Sequence, residues 1–205
     1  MFNEAFRSIV NEALPMLIIF IVVICTVRIS CIRATNERIV IHNEILNLLF
    51  IIYVLLLFEL LTGAENSLGS GINYFPFKEI MRYKFGSKMF VYNVLGNILI
   101  FVPFGYFISR YIKPKKIWPI VIDALITSVT VETVQLKIGR SFDIDDVMLN
   151  IVGAVVGYFI YVALDAIYKH LPKILQKDFI YDVISLIILI MFILYAANIL
   201  DLRWF

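Results

Sequence analysis

"GRSFDIDDVMLNIVGAVVGYFIYVAL", residues 139–164, is the stretch that decides the fold. One arginine and three aspartates open it, and eighteen residues follow from Val147 to Leu164 with Asn150 as their one strongly polar member. A helix rises about 1.5 Å per residue and needs about 20 largely apolar residues to cross the hydrocarbon of a bilayer. The stretch therefore reads as a spanning helix with a polar head. Asp143, Asp146, Asn150, Gly153 and Gly157 recur at steps of three and four, which puts them on one helix face. Gly153 and Gly157 form a small-xxx-small pair that lets another helix approach closely, so this face points into a bundle. Asp145 falls on a different side and is expected to be wetter. The acidic run also suits the positive end of the helix dipole as a cap, and both readings stand at this point.

The rest of the chain repeats the pattern. Of its 205 residues, 61% are hydrophobic and 17% charged, against a soluble average of about 45–50% apolar and about 25% charged. Apolar runs cover Leu14–Ile29, Ile45–Thr62, Asn93–Tyr111, Trp118–Leu136, Val147–Tyr168 and Phe179–Ile199. The expected fold class is all-α: a polytopic membrane helix bundle of about six transmembrane helices with short interfacial amphipathic helices. The longest connection, Gly63–Tyr92, has 30 residues and leaves no room for a soluble domain, so residues 1–205 are expected to form a single membrane domain. Upstream of the first span, Phe2, Ala5, Phe6, Ile9, Val10 and Ala13 make the stripe of a helix lying in the membrane surface. No small-x-small cleavage pattern follows that span, which is expected to be retained. Cys25 and Cys31 are too few and too isolated for a disulfide framework or a zinc site. A net charge of +2, without a basic cluster interleaved with aromatics, argues against nucleic acid as a partner.

Loop charges set the orientation. With six crossings, Arg28, Arg33, Arg38, Arg110, Lys113, Lys115, Lys116, Lys169, Lys173 and Lys177 fall on one side, against Arg7, Lys78, Arg82, Lys84, Lys88, Lys137, Arg140 and Arg203 on the other. The first group sits in short connections and is placed in the cytoplasm by the positive-inside rule. Both termini are then outside.

Polar groups within the spans converge. Glu59 closes the second span, Asn93 and Asn97 open the third, Ser128, Glu132 and Gln135 close the fourth, and Asp146 and Asn150 open the fifth. Alternating helix directions bring all of these ends to one membrane face, extracytoplasmic by the charge count. Asn93 and Asn97 are i, i+4 and Ser128, Glu132 and Gln135 are i, i+4, i+7, each set forming one helix face. A carboxylate at mid-span costs about 2.5–3.5 kcal/mol on the insertion scale, so these residues are expected to face a polar pocket, with Arg140 and Lys137 as counter-charges. Packing through interhelical hydrogen bonds is the alternative for the amides. At the same face, NYFPFKEIMRYKF (residues 73–85) sets Phe75, Phe77, Met81 and Phe85 beside Lys78, Arg82 and Lys84, suited to a headgroup-level lid or to an interfacial anchor. Pro103 frees the Leu99 carbonyl in mid-span.

These residues carry a resemblance. NYFPFKEI, NVLGNILIFVPFGYFI with Asn93, Gly96, Asn97, Pro103 and Gly105, VETVQ with Glu132 and Gln135, and GRSFDIDDVMLNIVGAVVGY resemble the VanZ-like family of bacterial membrane proteins over a motif core of about residues 73–158. The resemblance implies a link to resistance against the lipoglycopeptide teicoplanin, the property of the name-giving member. It also implies relation to membrane proteins that act on lipid head groups or lipid-linked cell-envelope intermediates.

Two functions follow as expectations. In an enzyme, Glu132 with Asp143 or Asp146 acts as acid and base on a lipid phosphoester or lipid-linked sugar, because a desolvated carboxyl pair has its pKa values pushed apart. Arg140 binds the phosphate as a bidentate fork, and Asn93, Asn97, Gln135, Asn150 and Ser128 hold the head group. In a binding or shielding protein the same residues hold a lipid or lipoglycopeptide unchanged. Six spans without a visible repeat argue against a transporter. His42 and His170 fall on the opposite side, no cofactor is identified, and a divalent metal held by the carboxylates with Asn150 has only weak support from oxygen ligands at this spacing.

Overall fold

The computed structural model describes residues 2–35, 39–62 and 71–199. It is 80% helical and essentially all-α. In chain order the elements are α1 (Phe2–Thr35), α2 (Ile41–Thr62), β1 (Ile72–Asn73), α3 (Lys78–Arg82), α4 (Lys88–Phe90), a π-helical turn (Val91–Leu95), α5 (Gly96–Ile112), α6 (Trp118–Lys137), β2 (Phe142–Asp143), α7 (Ile144–His170) and α8 (Asp178–Ile199). Among the described residues, five helices are long and apolar enough to cross a membrane, the third running over Lys88–Ile112. α8 occupies the sixth expected run with 22 residues. The N-terminal stripe is continuous with the first span in a single 34-residue helix that passes through Pro15. Its side chains, like Arg38 and Arg203 of the charge count, lie outside the described part.

The chain divides into two compact units, residues 1–60 with 170–205, and residues 61–169. In the first, Arg28 makes a bidentate pair with Glu44 (2.9 and 2.8 Å), joining α1 to α2. Asp182 on α8 accepts from both the backbone N–H and the ring Nδ1 of His42 on α2 (2.7 and 2.9 Å). Glu59 belongs to this unit.

The second unit packs α5, α6 and α7 around Phe101, Ile120, Ala124, Val147 and Ala154. The expected close approach at the glycines is to α5. A Cβ built on Gly153 would sit 2.1 Å from the Ile98 carbonyl oxygen, and one on Gly157 2.1 Å from that of Val102. Only a residue without a side chain fits there, and the contact sets the height of α5 against α7 where their polar residues meet. At the head of α7 a two-residue parallel ladder pairs Ile72 with Phe142 and Asn73 with Asp143. It fixes the 72–90 connection to the ends of α6 and α7.

Candidate functional site

The site grows from the turn between α6 and β2. The Arg140 N–H donates to the Gln135 carbonyl (2.9 Å) and the Gly139 N–H to that of Leu136 (3.3 Å), the bonds of a Schellman motif. Gly139, at φ 90°, takes the left-handed position of that motif, which glycine enters without a Cβ clash. The turn presents Arg140 and leads through β2 to Asp143, immediately before α7. Asp143 caps that helix: its Oδ1 accepts from the Asp145 N–H (2.9 Å) and also from Asn73 Nδ2 across the ladder (3.0 Å). The Asp143 N–H in turn donates to Glu132 Oε2 (3.0 Å). Burial raises the Asp143 carboxyl above the usual carboxylate range, against the lowering effect of the two hydrogen bonds it accepts.

Behind this junction the three helices are tied by amide and hydroxyl pairs. The Asn97 side-chain amide on α5 donates to Asp146 Oδ1 on α7, and Asn150 Nδ2 donates to Ser128 Oγ on α6 (2.9 Å). Ser128, Glu132, Gln135 and Asn150 are all buried, Glu132 to 2% exposure. The expected convergence of Asn97, Ser128, Glu132, Asp146 and Asn150 is therefore observed, and Arg140 is the positive charge that acts on both Glu132 and Asp146.

Asn93 departs from Asn97. The i→i+5 winding of Val91–Leu95 breaks the four-residue register on which a shared face depends. Asn93 is exposed and donates to the Met89 carbonyl (2.9 Å).

A larger difference concerns Asp145, expected to be wet. It is 1% exposed. Its Oδ1 accepts from the Phe77 N–H, and its Oδ2 from the N–H groups of Glu79 (2.8 Å) and Ile80 (3.2 Å). The side of α7 that the helical wheel leaves to solvent is covered by the start of α3, and the acid caps that short helix. Phe77 is held there at φ 67°, a left-handed conformation rare for a bulky residue.

Between α3 and the head of α7 lies an open cleft of about 390 Å³. Arg140, Asp143, Asp146 and Asn93 line it from one side; Lys78, Glu79, Arg82 and Tyr83 line it from α3 and the residue that follows. Glu132, Asn97, Gln135, Asn150 and Ser128 are not among its lining residues. The basic aromatic stretch thus contributes a wall, while Phe75, Met81 and Phe85 are 73–86% exposed. Sequence reasoning missed Tyr83, Glu79 and the ladder residue Asn73. Burial, with the negative charges of Glu79, Asp146 and Asp143, pushes the Tyr83 phenol up. Among the described residues no group of three His, Cys, Asp or Glu side chains is set to hold a metal ion.

A family model described as VanZ/LLP1 matches the chain over residues 45–165. It covers both walls of the cleft and the buried polar layer behind it. No curated protein and no solved structure matches the chain.

Proposed function

The chain belongs to the VanZ/LLP1 family, and we propose that its second unit carries a site for the head group of a membrane lipid or lipid-linked envelope intermediate. The site opens at the extracytoplasmic face of the bacterial cytoplasmic membrane. One observation carries this reading: a guanidinium, two carboxylates and an amide, from Arg140, Asp143, Asp146 and Asn93, line a single cleft against a cationic wall beside a membrane span. Arg140 holds the phosphate in a bidentate fork. Asp143 and Asp146 are the acid–base pair on a phosphoester or glycosyl bond, since both line the cleft, and Glu132 positions Asp143 through its N–H. Asn97 orients Asp146, while Gln135, Asn150 and Ser128 keep the three helices in register. Teicoplanin resistance follows in this reading from a changed envelope lipid or lipid-linked precursor.

A second reading, a protein that holds a lipid or lipoglycopeptide without changing it, draws on the hydrogen bonds that Glu132, Asp143 and Asp146 already accept. Acids satisfied in this way serve shape and affinity without proton transfer. Complementation of a deletion strain separates the two. Asp143→Asn and Asp146→Asn keep the shape but lose proton exchange, so catalysis predicts folded, inactive proteins. The control is Asp165→Asn, which removes a pair with Lys169 in the last turns of α7. Full complementation by both cleft variants leaves the binding reading; full complementation by Arg140→Gln as well removes the head-group site.

A further inference from the structure

We propose that the turn between α3 and α4 docks into the head-group layer of an anionic lipid leaflet, with Phe85 as its inserted tip. The turn is built to hold that shape. The Ser87 N–H donates to the Lys84 carbonyl (2.9 Å), and Gly86, at φ 76°, takes the third position of a tight turn, which in the type II form requires a positive φ. Ser87 Oγ then accepts from the Phe90 N–H (3.1 Å) and starts α4. Phe85 lies at the tip, 86% exposed, with its ring 5.1 Å from that of Phe90. Phe75, Met81 and Met89 are exposed with it.

Position and charge name the occupant. A candidate membrane span begins at Lys88, so the apolar tip sits at the height where hydrocarbon gives way to head groups. Between residues 78 and 88 the chain carries Lys78, Arg82, Lys84 and Lys88 against Glu79, an excess of positive charge however these groups pair among themselves. Lys78 and Arg82 line the cleft; Lys84 and Lys88 flank Phe85 and are exposed. A basic stretch with apolar tips is the pattern that lies in a lipid interface and is drawn to anionic lipid. A second copy of the chain fits less well, because a two-fold contact through this face sets the same lysines against themselves. Asp145 clamps the Phe77, Glu79 and Ile80 N–H groups and so holds α3, which favours the anchor over the lid among the two roles expected from the sequence. Docking of the turn is independent of what the cleft binds, and its failure leaves the head-group site standing.

Phe85→Trp in the full chain, with Trp118→Phe and Trp204→Phe, reports where the tip lies once the protein is reconstituted into phosphatidylcholine vesicles with and without one-third phosphatidylglycerol. In the anionic vesicles the tryptophan is expected to be quenched by lipids brominated on their acyl chains and shielded from acrylamide. Hydrogen exchange over residues 80–90 should be slower there than in neutral vesicles by about fivefold, the effect of about 1 kcal/mol for one lysine at an anionic surface. Lys84→Gln with Lys88→Gln should remove that difference, Lys84→Arg with Lys88→Arg should keep it, and raised salt should shrink it. A tryptophan quenched by acrylamide and not by brominated chains would overturn the docking. Equal exchange in the two kinds of vesicle would overturn the choice of anionic lipid. A tryptophan shielded from both quenchers, together with cross-linked dimers of the chain, would put a second copy over the tip and overturn the proposal as well.

Discussion

Replacing Asp145 by asparagine is expected to release the 74–83 segment while the helices of the second unit stay folded. The carboxylate offers one oxygen to the Phe77 N–H and the other to those of Glu79 and Ile80. An asparagine keeps one acceptor and turns an NH₂ group toward the remaining N–H donors. Whichever way the amide flips, at least one buried N–H loses its partner. Loss of a hydrogen bond to a charged group costs about 1.5–3 kcal/mol, and a stranded buried donor about 1–3 kcal/mol. Phe77 adds to the imbalance, because its left-handed backbone costs on the order of 1–3 kcal/mol that surrounding contacts must offset. A local destabilisation of about 2–4 kcal/mol corresponds to opening about 30- to 700-fold more often. Hydrogen exchange followed by mass spectrometry reads this directly on peptides covering residues 74–83. Accelerated exchange there, with α5 to α7 unchanged, is the expected result. An unchanged rate in that segment would refute the clamp, and with it the assignment of α3 as a fixed wall of the cleft.

Gly153→Ala places a methyl group 2.1 Å from the Ile98 carbonyl oxygen, where such contacts sit at about 3.3–3.6 Å. The helices must part by about 1.2 Å, at a cost of about 1–3 kcal/mol, and thermal unfolding in detergent should fall by several degrees while Val152→Leu, on the exposed side, leaves it unchanged. Asp143 has its carboxyl raised by burial, so the folded state binds that proton more tightly than the unfolded one. Its contribution to stability is full below the unfolded value and is lost as pH rises through the raised native value. Asp143→Asn keeps the two accepted hydrogen bonds, and its stability should lack that fall; parallel wild-type and variant curves would contradict the assignment. In a background without Cys25 and Cys31, a cysteine at exposed Ser141 should react with an impermeant reagent from outside intact cells and one at Lys115 should not; the reverse pattern inverts the orientation.

The helices were legible because hydrocarbon thickness imposes a length and lipid imposes a composition, and both are written in the apolar runs. The inward face of α7 was legible too. Glycines at 153 and 157 continue the Asp146–Asn150 face, and a backbone contact is the physical reason for glycine at such a spacing. Other features required tertiary information. The β1–β2 ladder joins residues separated by 70 positions through two-residue strands, too short for any periodic signal. The π turn before Gly96 changes the phase of Asn93 against Asn97, which a uniform 3.6-residue wheel cannot represent. Asp145 was misplaced for a related reason, since a wheel assigns a side to solvent without knowing which connection returns over it. Tyr83 was obscured by its neighbours: Met81, Phe85 and the lysines give the stretch an amphipathic outer surface, and the inward residue carries no mark of its own.

The central claim is that Asp143 and Asp146 carry out proton transfer on a lipid-borne head group. It is tested most directly by mass spectrometry of lipid extracts from four strains: wild type, deletion, deletion carrying the wild-type gene, and deletion carrying the Asp143→Asn, Asp146→Asn double variant. The account predicts a head-group species whose abundance changes on deletion and is restored by the wild-type gene but not by the double variant, with both proteins present in the membrane at equal levels. Identical lipid profiles in all four strains, or full restoration by the double variant, would contradict it.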